Sequence, residues 1–224
     1  MIRLLYDDAH MAFIYKPAGV LTHPVTANSD KFSVSAYCQS LWPAINCAIF
    51  PDNRPFIIHR LDQYTSGVLV VAKTLASLTA LSAQFKARTV KKVYLAAVHG
   101  CMAQDSGHYQ WPLYKQRTRS RYSIRAGQTD QAKPAVTHWS CIAKTGTKSI
   151  LRLEPVTGRT HQLRVHCATA GHPIIGDTQY GRVSRAQRYY LEAHALSITH
   201  PQSHRRLTLV LPLPSWATLS YNRK

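Results

Sequence analysis

Along the chain, apolar residues recur in short runs broken by polar pairs, a pattern that predicts many strands and few helices. The opening IRLLYDDAHMAFIYKPAG sets apolar residues on either side of Asp7-Asp8 and closes at Lys16-Pro17, which predicts two strands about a turn and reads as scaffold. From Phe32 to about Leu41 the spacing is weakly helical, with Ser33 as N-cap and Pro43 as the stop. Residues 42 to 55, rich in Pro, Asn and Asp, read as a loop.

The segment IIHRLDQYTSGVLVVAK is two apolar runs around a polar, turn-prone centre, which puts Asp62 at the mouth of a strand and Val68 to Ala72 in a buried one. Thr74 then caps a helix whose Leu75, Leu78, Leu81 and Phe85 form a core-facing stripe. Lys86 and Arg88 are expected in its last turn, where the helix dipole favours cations. In KKVYLAAVHG, Tyr94, Ala96 and Val98 alternate with Val93, Leu95 and Ala97, as in a strand covered on both faces. His138 to Lys144 and Ser149 to Glu154 predict a hairpin about Thr145-Gly146-Thr147, and the tail adds strands at Ala195 to Thr199 and Leu207 to Leu211. The class expected is α+β, built on a mixed, largely antiparallel sheet flanked by helices and loops. With no internal repeat, low-complexity tract or long linker, residues 1–224 read as a single domain.

Charge changes this picture from a scaffold to a binding protein. The chain carries 28 Lys and Arg against 10 Asp and Glu, a net charge of +18. A surface that positive repels itself without a polyanionic partner, and nucleic acid is the first candidate. Anionic membrane is the competing partner, yet no run approaches the roughly 18 to 20 apolar residues of a spanning helix. The N-terminus also lacks the apolar stretch of a signal peptide, so a cytoplasmic location is expected. The five cysteines are odd in number, scattered and free of any C-x-x-C pair, so they read as reduced and mostly buried. Between Asp105 and Asp130 there is no acid, while Lys115, Arg117, Arg119, Arg121 and Arg125 gather beside Trp111, Tyr114 and Tyr122. That mixture suits phosphates and unstacked bases better than a merely solvated face.

Two constellations could carry chemistry. Asp62 follows His59 and Arg60 closely, a positive setting that favours the ionised carboxylate of a nucleophile or base. An Asp that simply caps the turn toward Thr65-Ser66-Gly67 explains the same residues equally well at this point. The second constellation is GRTHQLRVHCATAGHPIIGDTQYG, where Thr160 can cap a short helix that Gly171 and Pro173 end. Arg164 lies on that helix with Leu163 and Cys167 as neighbours. Arg159, His161, Arg164 and His166 could bind phosphate, pair with a carboxylate or hold a metal. The metal is disfavoured, because His161 and His166 are five apart and no Glu stands between them as in H-E-x-x-H. Neither a phosphate-binding G-x-x-x-x-G-K loop nor a G-x-S-x-G elbow is present. Tyr94, on a strand of small residues, reads as core on its own.

Taken together these segments resemble the RluA-type family of RNA pseudouridine synthases, whose hallmark HRLD-x-x-TSG is matched by HRLDQYTSG. The K-x-Y within KKVYLAAVHG, the block from Gly158 through GHP to GD-x-x-YG, and AHALSITHP follow in the family's order. The resemblance implies the pseudouridine synthase catalytic fold, a basic cleft for ribosomal or transfer RNA, and no cofactor or metal. It implies Asp62 as the essential carboxylate, Tyr94 as the ring packing on the target base and Arg164 as the cation paired with Asp62. Arg60 would line the site, with His59, Leu163, Arg159 and His161 as further substrate-binding candidates. Many relatives carry an extra RNA-binding domain of the S4 type. Here the catalytic pattern begins almost at Met1, as in the family's short members, so the Arg117, Arg119 and Arg121 stretch is expected to contact substrate. A monomer is expected.

Two other classes compete. A non-catalytic RNA-binding or ribosome-assembly protein would need the charge and the aromatics but not a placed Asp62. A nuclease or base-cleaving enzyme would use Asp62 with His161 or His166.

Overall fold

The computed structural model describes residues 1–23, 32–43, 45, 57–117, 122–181 and 188–218, with the side chains of Arg117, Tyr122 and Ser123 left aside. The chain packs as two compact units, Met1–Lys92 with Ala193–Leu211, and Val93–Glu192 with Pro212–Lys224.

In the first unit, β1 (Arg3–Asp7) and β2 (Met11–Lys16) pair antiparallel across the predicted turn. Asp8 makes that turn, its Oδ1 accepting the His10 and Met11 N–H at 2.7 and 2.9 Å. Its Oδ2 takes the Tyr6 hydroxyl at 2.6 Å and His200 Nε2 at 2.8 Å. His200 Nδ1 accepts the N–H groups of Gln202 and Ser203, so the ring hydrogen is on Nε2, directed at Asp8. The Thr-His-Pro near the C-terminus is thereby a clasp on the N-terminal turn.

Next, β2 pairs with β3 (Ser66–Ala72) from Met11↔Ala72 to Lys16↔Gly67. Every residue of β3 beyond Ser66 is buried, as its unbroken apolar run requires. Ser33 caps α1 (Val34–Leu41) through its side chain to the Ala36 N–H, as expected. Thr74 caps α2 (Leu75–Lys86) through the Ser77 N–H. The stripe of α2 is narrower than its spacing implies. Leu78, Leu81 and Phe85 join the core of Met11, Phe13, Val68, Val70 and Ile198, whereas Leu75 in the first turn faces out, 53% exposed. Arg88 likewise lies past the last turn, in a left-handed conformation with φ of 59°.

The second unit is built on β4 (Lys91–His99), β9 (Lys148–Pro155), β8 (Thr137–Thr145) and β5 (Ser106–Tyr109), neighbours in that order and all antiparallel. Gly146, at φ of 51°, turns the predicted β8–β9 hairpin. Ala96, Val98, Leu151, Leu153, Cys167 and Ile174 form its core, with Tyr94 packed on the edge. The basic stretch forms a separate hairpin, β6 (Leu113–Arg117) with β7 (Tyr122–Ala126). A helix of two turns, α3 (Gln162–Thr169), packs on this unit, and α4 (Ser215–Thr218) is one short turn. The Ala193–Leu211 segment of the first unit holds most of β10 (Leu191–Thr199) and all of β11 (Arg206–Val210), which pair antiparallel at the predicted tail strands. Among the described residues strands dominate and helices are few, the α+β architecture expected.

Cys38 and Cys167 are buried and Cys141 is half-buried, but Cys101 is exposed; Cys47 lies outside the described residues. Most of the loop expected at 42–55 also lies outside them.

Candidate active site

Asp62 stands four residues before β3, in a loop whose backbone is fixed on both sides. The buried Thr22 hydroxyl donates to the Leu61 carbonyl at 2.9 Å and accepts the Leu61 N–H at 3.2 Å. On the other side, the Gln63 carbonyl accepts the Gly19 N–H at 2.9 Å and Lys16 Nζ at 2.9 Å. The Asp62 carbonyl takes the Thr65 N–H at 3.1 Å, which closes the turn into Thr65-Ser66-Gly67. The turn-capping and the chemical readings of Asp62 are therefore compatible: its backbone makes the turn, and its half-buried side chain is carried by a pinned loop.

Lys16, predicted only to close a scaffold strand, holds this loop ahead of the start of β3. Its side chain is fully buried, and Nζ donates to the carbonyls of Pro17, Val20 and Gln63 at 3.1, 2.8 and 2.9 Å. Burial lowers its pKa to about 8, against the attraction of the nearby Asp62 carboxylate, which raises it. One ammonium thus ties two loops together and lends positive charge to Asp62. The only signal in the sequence was a lysine at the end of an apolar strand beside Pro17.

His59 and Arg60, expected near substrate, differ in placement. Arg60 is exposed. The His59 ring stacks on Phe85 with centroids 4.6 Å apart, and Nε2 accepts the Val70 N–H at 3.1 Å. A ring nitrogen that accepts carries no proton, and burial together with the charge of Lys92 holds the pKa down at about 3. His59 is a neutral brace on β3. Gly67 is required where that strand begins, because at φ of 123° a Cβ would stand 2.3 Å from the Ala193 carbonyl oxygen.

In the second unit, the helix bearing Arg164 starts differently from expectation. Its N-cap is His161, in a left-handed conformation with φ of 55°, and not Thr160. The buried side chain of Gln162 organises the entry instead. Its Oε1 accepts from the Thr157 hydroxyl at 2.7 Å and the Arg159 N–H at 3.0 Å, while Nε2 donates to the Val136 carbonyl and to Thr137 Oγ1. Thr137 Oγ1 meets His166 Nδ1 at 3.0 Å, and His166 Nε2 meets the Trp111 carbonyl at 3.0 Å. A carbonyl only accepts, so Nε2 bears the hydrogen and the fully buried His166 is neutral, its pKa lowered by burial. This satisfied buried network locks α3 onto β8.

Arg164 projects from that helix into a bidentate pair with Asp177: Nε to Oδ2 at 2.7 Å and Nη2 to Oδ1 at 2.9 Å. Gln179 adds a bond at 3.2 Å, and the Tyr180 and Tyr189 rings lie 4.8 and 5.7 Å from the guanidinium carbon. Burial alone would raise the Asp177 pKa; the bonds from Arg164 and from the Tyr180 and Gln179 N–H groups outweigh it and hold the carboxyl below its usual range. Gly176 permits this turn, since a Cβ there would stand 2.0 Å from the Arg188 carbonyl oxygen. Asp177 and Tyr180, quoted only as parts of GD-x-x-YG, are thus the residues that hold Arg164.

Tyr94 and Leu163 pack in one cluster of this unit, whereas Arg159 turns its Nε to the Pro134 carbonyl at 3.1 Å. Arg119 and Arg121 lie outside the described residues, and Arg117 ends β6. Among the described residues no group of three or more His, Cys, Asp or Glu is placed to hold a metal ion.

The profile of the family described as RNA pseudouridylate synthase matches residues 10–169, which include Asp62, Tyr94 and Arg164. The chain belongs to the RNA pseudouridylate synthase family. It is 38% identical to the dual-specificity RNA pseudouridine synthase RluA of Yersinia pestis, over 89% of this chain and 93% of that one. It is 36% identical to an uncharacterized RNA pseudouridine synthase of Synechocystis over 95% of its length, while spanning 65% of that relative, just under two thirds. Among solved structures, the human RNA pseudouridylate synthase domain containing 1 matches 99% of this chain and 87% of its own with a TM-score of 0.78 at 26% identity. The strand-rich core deduced above is therefore the synthase fold.

Proposed function

We propose that this protein isomerises uridine to pseudouridine in folded RNA, with Asp62 as its catalytic carboxylate. The observation that carries the reading is the pinned HRLDQYTSG loop: Thr22, Lys16 and Gly19 hold the backbone around Asp62 from both sides. A preset carboxylate is what a reaction on a flipped-out nucleotide needs, since the substrate supplies the motion and the enzyme the position. The target base leaves its stack, Tyr94 offers a ring to replace the lost stacking, and Asp62 acts on the ribose or the uracil. Arg164, fixed by its pair with Asp177, supplies positive charge for the reaction. The glycosidic bond from ribose C1′ to uracil N1 breaks, the uracil turns, and a bond from C1′ to C5 forms, with the C5 hydrogen leaving to solvent and N1 taking up a proton.

The net charge of +18 and the basic hairpin favour an RNA partner, and ribosomal or transfer RNA is the class that the resemblance carried by HRLDQYTSG implies. The test is an RNA transcript labelled with tritium at uridine C5. The protein should release tritium while the RNA keeps its length and mass. Cleaved product would instead support the nuclease reading, and binding without release the ribosome-assembly reading.

A further inference from the structure

Tyr180 joins three parts of the second unit. Its N–H closes on Asp177 Oδ1 at 3.1 Å, and its ring lies 4.8 Å from the Arg164 guanidinium carbon. Its hydroxyl accepts the N–H of Ile124, on the basic hairpin, at 3.0 Å. A hydroxyl accepting one bond keeps its own hydrogen to donate, and its partner is His161 Nδ1 at 2.7 Å. His161 is the left-handed residue at the start of the helix that bears Arg164. Around this hydroxyl, Leu113, Ile124 and Ala126 of the hairpin pack with Val165 and the Tyr180 ring, so the hairpin rests on α3 next to Arg164.

The hairpin has two faces. Register puts Leu113, Lys115, Ile124 and Ala126 on one face, of which Leu113, Ile124 and Ala126 dock, and Tyr114, Gln116 and Arg125 on the other. Arg125 and Lys115 are exposed, and Arg125 Nε reaches Gln116 at 3.2 Å. A two-stranded ribbon is marginal alone and takes its position from what it docks on. Anything that draws the hairpin outward pulls on the Ile124 N–H, hence on the Tyr180 hydroxyl. Because the backbone of Tyr180 is tied to Asp177, the response is a tilt of the ring against Arg164.

We infer that Tyr180 is a positioning residue that gears the basic hairpin to Arg164, so that RNA phosphates seated on the hairpin set the guanidinium for reaction. This rests on the function proposed above. It makes chemistry depend on the correct RNA and not merely on binding, a form of induced fit.

Tyr180→Phe keeps the ring over Arg164 and removes the hydroxyl. In the free protein, deuterium exchange at the Ile124 amide should become about 10-fold faster, as expected for loss of one hydrogen bond. With RNA in saturating amount, the paired change Lys115→Ala and Arg125→Ala should slow single-turnover tritium release in the wild-type background. Combined with Tyr180→Phe it should cost no more at saturation than the larger of the two effects, while the losses in RNA affinity add. Unchanged exchange at Ile124, a saturated rate unaffected by the hairpin changes, or rate losses that multiply would overturn the gearing. If the wild-type protein releases no tritium, the function falls, while the exchange result still judges the link between Tyr180 and the hairpin.

Discussion

Arg164 and Asp177 form a two-bond pair, Nε to Oδ2 at 2.7 Å and Nη2 to Oδ1 at 2.9 Å, in which the carboxylate is nearly inaccessible and the guanidinium is 12% exposed. Asp177→Asn leaves a buried cation without its counter-charge. It should lower the unfolding free energy by about 3 kcal/mol, read from urea titration. It should also slow turnover, because a misplacement of about 1 Å at a reacting group can cost about 100-fold. The pH dependence has a definite sign. Asp177 has a folded pKa below its ordinary 3.8, so its stabilisation is complete above that value and lost as pH falls through the folded one. The stability gap between wild type and Asp177→Asn should close in that acid window.

Lys16 serves the first unit in a comparable way. Lys16→Met removes the donor for three carbonyls and should cost about 3 kcal/mol, since buried acceptors left bare bear their full desolvation penalty. The folded pKa of about 8 lies below the ordinary 10.5, so between these values the unfolded chain binds a proton that the folded one does not. Stability from this group therefore rises with pH across that window. Urea titrations at pH 7 and pH 10 should show the gap between the two proteins widening at the higher pH.

The hairpin prediction concerns electrostatics alone. Replacing Arg117, Arg119 and Arg121 by alanine should weaken RNA binding and flatten its dependence on salt, since each lost phosphate contact releases fewer counterions. Affinity measured across a salt series checks this, and an unchanged slope would remove the hairpin from the interface.

Much of the scaffold was legible because the hydrophobic period is local information. The β1–β2 turn, the buried β3, the caps at Ser33 and Thr74 and the β8–β9 hairpin all follow from neighbours a few residues apart. The errors share a cause. Leu75 has the spacing of a core residue but sits in the first turn, where α2 has not yet met its core, and Thr160 has the chemistry of a cap that the buried Gln162 side chain makes unnecessary. Long-range partners were not legible at all. Nothing near Lys16 announces the Gln63 carbonyl, and nothing near Arg164 announces that Asp177 and Tyr180 would hold it. His59 looked like a substrate ligand because it adjoins Arg60 and Asp62, yet its ring turns to Phe85 and Val70. The side chains' partners are set by the fold.

In the proposed function Asp62 carries the reaction. Asp62→Asn keeps the size of the side chain and the backbone bonds that pin the loop, while it removes the charge and turns one carboxylate oxygen into an amide donor. Given RNA tritiated at uridine C5, this variant should release no tritium above background while melting and binding RNA as the wild type does. Release at the wild-type rate would contradict it.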